Sequence, residues 1–263
     1  MGYNNDFTET LKAGTAGNKA HFPIFYEDDN SVIVRLGEAE GHDLAFNPEV
    51  QTVNPIDQEA EEDIVKSQNE SFAKDIIIKY GAPNYEFFSK WLRRRPTGDN
   101  AKLRIYMADM SKYVTGTTHH KYLAYTYMAT VTVESANYAD GKLAVNFKQA
   151  GNLETGIIQR VDTGGEIEYG FTPSSEIAVT GVKLGDSAVT VKAGKERKVS
   201  VEFSPLGAPQ DFLAEADDDE ICSAVVMDGY VLIKGLKAGT NTIAVSSVSS
   251  GSIDDLISVT VSV

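Results

Sequence analysis

The chain has 263 residues, 42% hydrophobic and 24% charged, an ordinary balance for a folded globular protein with room for one or two domains. Its 38 acidic against 24 basic residues give a formal net charge of -14, which excludes a DNA reader that needs a basic footprint and repels anionic membranes. Cys222 is the one cysteine, so no intrachain disulfide can form and folding fits a reducing compartment, while no apolar run approaches the ~20 residues of a membrane span.

Residues 1–20 form a polar, glycine-containing arm, without the basic-then-apolar order of a secretory signal. "SVIVRLGE" reads as a strand through Val32 and Val34. Residues 38–69 carry two prolines, weak periodicity and an acidic cluster at Asp57, Glu59, Glu61, Glu62 and Asp63. The segment is predicted to be a long loop, and loops of this length in compact domains are usually functional. A solvated loop and a subunit-contact loop that orders on assembly are the two readings of the cluster.

"SFAKDIIIKY" alternates Phe72, Ile76, Ile78 and Tyr80 against Ala73, Asp75, Ile77 and Lys79, the period of a strand. "APNYEFFSKWLRRRP" is the clear helix. It opens at Pro83 or Asn84, stops at Pro96 and presents Tyr85, Phe88, Trp91 and Leu92 as its apolar stripe. Glu86 and Lys90 are spaced to pair on its exposed side. Arg93, Arg94 and Arg95 end it, where cations oppose the negative end of the helix dipole. They are candidates for a structural or subunit contact rather than for phosphate binding.

"KLRIYMADM", "KYLAYTYMATVTVES", "KLAVNFKQ" and "ETGIIQRVD" are strand-like, with a hairpin signal at Asp140-Gly141. The first domain, 1–172, is therefore predicted to be α+β: an antiparallel β-sandwich or barrel with one helix. "GFTPSSEI" has linker composition, and the boundary is placed at 173–176. Residues 177–263 read as short strands near 179–184, 188–192, 198–203, 212–216, 221–226, 230–234, 240–248 and 257–263, the spacing of an all-β sandwich. Residues 1–176 hold 17 basic and 26 acidic residues (-9) and 177–263 hold 7 and 12 (-5), so neither domain alone carries the acidity.

No catalytic, cofactor or metal constellation stands out. His119 and His120 lie in a predicted loop without converging ligands. "ADDDE", Ala216 to Glu220, lacks calcium-loop spacing and reads as an exposed turn. Cys222, in a strand-like run, reads as a small buried hydrophobe.

"AVTGVKLGDSAVTVKAGKERKVSVEFSPLG" and "DDDEICSAVVMDGYVLIKGLKAGTNTIAVSS" resemble the bacterial Ig-like group 2 domain over about 177–263. The resemblance is carried by the "V-x-x-G" turn at Val191 to Gly194, the "V-x-F-S-P" strand and the "G-L-x-A-G-T" turn at Gly235 to Thr240; the usual middle-strand Trp is missing. The order in front of it is similar to the major tail tube protein of long-tailed bacteriophages: a strand, a long polar loop, "AKDIIIKYG", the helix "EFFSKWLRR", then a meander with "YMATVTVESANYADGKLAVNFKQAG". That resemblance implies a virion structural protein, assembled in the host cytoplasm into stacked hexameric rings. The rings form a tail tube through which DNA passes without specific binding. Its implied partners are further copies of itself and the tape measure, tail terminator and distal tail proteins. The Ig-like domain would decorate the outside and bind the cell surface weakly. The alternatives are a phage head or decoration protein, and a bacterial surface adhesion protein, which the missing signal disfavours.

Overall fold

The computed structural model describes residues 22–37, 39–40, 44–53, 62–114, 121–163 and 166–263. The described residues divide into two compact units: 22–113, 121–154 and 158–170 form one, and 114, 155–157 and 171–263 the other.

The first unit opens with a hairpin of β1 (Ile24–Glu27) and β2 (Ile33–Arg35). Its turn is set by Asp28, whose Oδ1 accepts the N–H groups of Asn30 (2.8 Å) and Val32 (2.9 Å). Alternation finds β2 and misses β1, because Ile24, Phe25 and Tyr26 are buried in succession and leave no period to read.

Next come β3 (Ala39–Glu40), β4 (Leu44–Val53) and β5 (Glu62–Ile77). The long loop expected over 38–69 is therefore corrected: β4 and β5 pair antiparallel from Leu44–Phe72 out to Val53–Glu62. Pro48 and the polar composition hide these strands. Proline is tolerated here because β4 pairs with β5 alone and lies at an edge. Asp57, Glu59 and Glu61 lie outside the described residues.

Helix α1 (Pro83–Arg94) runs where the sequence places it. Ala82 gives no side-chain cap. Instead Glu86 reaches back, its Oε1 accepting the Gly81 N–H at 3.0 Å. At the other end Arg95 turns left-handed (φ 48°) and donates its N–H to the Trp91 carbonyl. The buried face holds Tyr85 and Phe88, with Trp91 and Leu92 half-buried. It also holds Phe87, outside the expected stripe, whose ring lies 4.8 Å from that of Tyr26.

The helix packs on β5, β7 (Lys121–Asn137) and β8 (Lys142–Gln149). Phe88 meets the Phe147 ring edge-on at 5.8 Å, and Ile76, Leu143, Val145 and Val131 fill the layer around it. With β6 (Lys102–Tyr113), β9 (Glu154–Thr163) and β10 (Glu166–Pro173) the unit's ten strands join in one sheet. Its main path is β2-β1-β6-β7-β8-β5-β3, with β4 on β5 and the β9–β10 pair on β7. The turn after Asn137, whose Oδ1 accepts the N–H of Ala139 and Asp140, ends at Gly141 (φ 66°), as the Asp-Gly signal predicts.

The boundary differs from a clean linker at 173–176. Strand β10 runs through Pro173, and Ser174–Glu176 is a 3-10 turn. The second unit also takes in 155–157 of β9, where Ile157 is buried close to Gly207.

The second unit has two four-stranded sheets, consistent with a β-sandwich. One is ordered β11 (Gly181–Leu184), β13 (Glu196–Ser204), β16 (Tyr230–Gly235), β15 (Cys222–Met227). The other is β12 (Ala188–Lys192), β18 (Asp254–Ser262), β17 (Gly239–Ser247), β14 (Phe212–Ala216), with β12 and β18 parallel. Each expected strand has a counterpart within a few residues, because strict alternation such as Val199, Val201 and Phe203 marks a one-sided buried sheet. Gly235 is fixed by close approach: a Cβ there would lie 2.9 Å from the Lys192 carbonyl oxygen.

Candidate functional site

Three surface features of the first unit stand out. The first is the outer part of the β4–β5 pair. Strand β8 pairs with β5 only over Ser71–Ile77. Beyond Ser71, β4 is the only strand paired with β5 among the described residues, from Glu70–Phe46 to Glu62–Val53. At about 3.3 Å per residue this two-stranded ribbon extends roughly 30 Å. Glu62 and Asp63 sit at its far end, paired with Val53 and Thr52.

The ribbon's root is polar and partly buried. Glu70 donates its N–H to Gln149 Oε1 at 3.0 Å. Burial pushes the Glu70 carboxyl above the usual carboxylate range, and the nearby Tyr127 hydroxyl, short of a well-formed hydrogen bond, offsets this only in part. Tyr125 beside them is pushed up to about 12 by burial and by the Glu70 charge.

The second feature is the sheet face opposite α1. Four cross-strand rows cover β5, β8 and β7; the last, Ile77–Lys142–Asn137, carries an exposed isoleucine and a lysine, and the other three are Ser71–Lys148–Thr130, Ala73–Asn146–Thr132 and Asp75–Ala144–Ser135. Alternation puts Phe72, Phe147 and Val131 into the core and leaves these nine outside. Their side chains are small or polar, and Asp75 and Lys148 cancel in charge. Without bulk to fill it, the face forms a shallow hollow around Ala73, Thr132 and Asn146.

The third feature is the rim of α1. Arg93, Arg94 and Arg95 are all exposed at its C-terminal end. Near its other end, Tyr80 and Tyr138 are 80% and 67% exposed, and the Tyr80 ring meets Tyr85 edge-on at 5.6 Å. Exposed tyrosines of this kind suit a protein contact. Sequence pattern alone misses them, because Tyr80 continues the apolar face of β5 and reads as core. The arginines lie on α1, while Glu62 and Asp63, the ribbon acids among the described residues, lie on β5.

His119 and His120 lie outside the described residues, and among the described residues no three His, Cys, Asp or Glu side chains converge as a metal site. Asp217 to Glu220 are exposed in the turn between β14 and β15, as expected. Cys222 is fully buried, and burial raises its thiol. Asn241, which the sequence does not flag, pins that turn: its Nδ2 donates to the Asp218 carbonyl (2.7 Å) and to Cys222 Sγ (3.2 Å), and its Oδ1 accepts the Asp218 N–H (3.1 Å). Comparison with protein-family models and with curated proteins found no match to this chain.

Proposed function

We propose that this chain is the tube-forming subunit of a long bacteriophage tail. Its first unit closes into hexameric rings that stack around a DNA channel, and its second unit is an Ig-like group 2 sandwich decorating the exterior. The observation that carries the reading is the ribbon. An isolated two-stranded hairpin is marginal in water, so a ribbon of about 30 Å with no further strand paired to it among the described residues calls for a neighbouring surface. A second copy supplies one in a stacked ring, where a heterologous contact repeats and closes. Strands β2 and β3, the ends of the sheet path among the described residues, favour the same solution, because pairing between copies extends the sheet at its edges.

The small, polar stretch of the β5, β8 and β7 face, where Asp75 and Lys148 cancel in charge, suits the channel wall. A basic wall would hold DNA phosphates through counterion release and stall passage. In this reading the chain performs no chemistry; it provides a shaped, non-adhesive conduit. The arginines at the end of α1 and the exposed tyrosines serve subunit contacts. The tape measure, terminator and distal tail proteins are the partners at the lumen and tube ends.

Negative-stain electron microscopy of the purified protein over a concentration series tests this. Hollow tubes of regular diameter are expected. A species that stays monomeric at every concentration, with the chain absent from tails in virions, would overturn the proposal.

A further inference from the structure

The second unit has four edge strands, and three interrupt their edge with a charge: Lys183 in β11, Lys192 in β12 and Glu215 in β14. Charged residues are a common guard against unwanted strand pairing. Strand β15, Cys-Ser-Ala-Val-Val-Met, has no charge, no proline and no glycine. Val225 is 50% exposed and Val226 and Met227 are 40% each, so the second half of the strand is apolar and exposed, while β14, the edge of the other sheet, lies close to β15 without pairing to it.

The hydrogen-bonding groups of this edge can be placed from its register. Met227 pairs with Tyr230 across a two-residue turn, Asp228-Gly229, and this pair must bond face to face. The bonds then alternate, so Val225–Leu232 and Ser223–Lys234 also point inward to β16. The N–H and C=O groups of Ala224 and Val226 point the other way, off the sheet. The β13 side agrees: Val201 donates its N–H to Gly229 O, which places the opposite set of β16 groups on β13.

Acidic residues flank this open edge. Exposed Asp217, Asp218, Asp219 and Glu220 precede β15, Glu220 standing 3.9 Å from the Lys237 ammonium, and exposed Asp228 follows it. Asn241 fixes the first of these turns through its three bonds with Asp218 and Cys222. A second copy is a poor occupant. Antiparallel β15–β15 pairing would set Asp217–Glu220 of each copy against Asp228 of the other, like charges beside a pairing of only six residues.

We infer that β15 is a strand-acceptor edge for a partner protein, taking an extended segment that is apolar and β-forming at its centre and lysine- or arginine-rich at both ends. The partner's backbone bonds to Ala224 and Val226, its apolar side chains cover Val225, Val226 and Met227, and its basic ends meet the two acidic turns. This is strand addition, in which main-chain bonds give affinity and side chains give selectivity. The acids then have a double role, admitting basic-ended strands and refusing self-pairing.

The test uses the full chain, below any concentration at which it polymerises, and a synthetic peptide, Lys-Lys-Val-Thr-Val-Thr-Val-Thr-Lys-Lys. Saturable binding is expected, with slowed amide exchange confined to Ala224 and Val226 and their neighbours on β15. A control peptide with glutamate in place of every lysine should bind at least tenfold more weakly, and raised salt should narrow the gap. Ala224→Pro removes an outward N–H without touching the ladder to β16 and should weaken binding at least tenfold. Val226→Lys, an exposed substitution, should do the same if the proline variant fails to fold. The inference is overturned by no binding, by equal binding to both folded variants, or by exchange protection of β15 that rises with protein concentration without peptide, which would make the occupant a second copy.

Discussion

If the face of β5, β8 and β7 is a channel wall, one added cation there should disturb DNA passage without disturbing assembly. Ala73→Lys is the cleanest perturbation. Ala73 is exposed, lies in the middle row opposite Asn146 and borders the hollow, so the new side chain has space and breaks no hydrogen-bonded side chain. Its cost to folding should stay within about 0.5 kcal/mol, as for surface substitutions generally. Its effect on DNA multiplies with ring symmetry. Each lysine that meets a phosphate adds about 0.9 to the slope of log affinity against log salt, so three simultaneous contacts give roughly 40-fold stronger retention at 50 mM than at 200 mM salt. The assay is DNA ejection from virions carrying the variant, followed at several salt concentrations. Tubes of normal length with slow, salt-sensitive ejection are expected, and Ala73→Ser should behave as wild type. Ejection that is fast and salt-independent, in virions shown to carry lysine at this position, would remove the face from the channel.

Replacing residues 47–69 by an Asn-Gly turn removes the described pairs from Asn47–Asn69 to Val53–Glu62, which lie beyond the part of β5 that β8 joins, so the urea midpoint of the monomer should barely move while tubes fail to form; unchanged tubes would refute the role given to the ribbon. Glu70→Gln should alter the pH profile of stability. A raised native carboxyl pKa means the folded state holds its proton longer than the unfolded one, so wild-type stability falls as pH rises from about 4.3 through the native value. The variant should lose that fall and be the more stable protein at pH 7, as urea midpoints across pH 4 to 8 would show; parallel profiles would contradict it. The core cluster of the sandwich lies within 177–263 among the described residues, with Ile157 of β9 beside it at Gly207, so that segment alone should unfold cooperatively, and Ile233→Ala, fully buried in it, should cost about 2–5 kcal/mol by chemical denaturation.

The parts legible in the sequence share one physical property: a single face rests on a core. The helix from Pro83, strand β8 and the strands of the sandwich all show it, and all fall where periodicity and turn chemistry place them. Two kinds of element escape. Strand β1 is buried over three successive residues and has no alternation. The ribbon of β4 and β5 extends past the sheet, so no core imposes a one-sided pattern on its sequence. The small, polar face of β5, β8 and β7 is not read from the sequence. Its cross-strand rows needed the register, which the bulge between Val133 and Ser135 shifts in a way no spacing rule reveals.

The two units treat the same hazard in opposite ways. A free strand edge is a template for pairing, and a soluble chain must either guard it or use it. The sandwich guards three edges with a lysine or a glutamate and brackets the fourth with acids, so a second copy is refused at each. Among the described residues the first unit ends its sheet path at β2 and β3 and adds the ribbon, a pair of strands to which no third strand is paired beyond Ser71. Open edges on one unit and guarded edges on the other would confine self-association to the first, so that growth proceeds in one geometry. The arrangement requires that removing the guards change the assembly. Asp217→Asn, Asp218→Asn, Asp219→Asn and Glu220→Gln together, with Asp228→Asn, should leave the sandwich core intact and let β15 of separate copies pair. Preparations of the variant should then show cross-linked or bundled tubes where the wild type shows separate ones, and the bundling should not disperse in high salt, because the charges that opposed it are gone. Tubes that remain separate would mean that steric separation, and not charge, keeps the β15 edges apart.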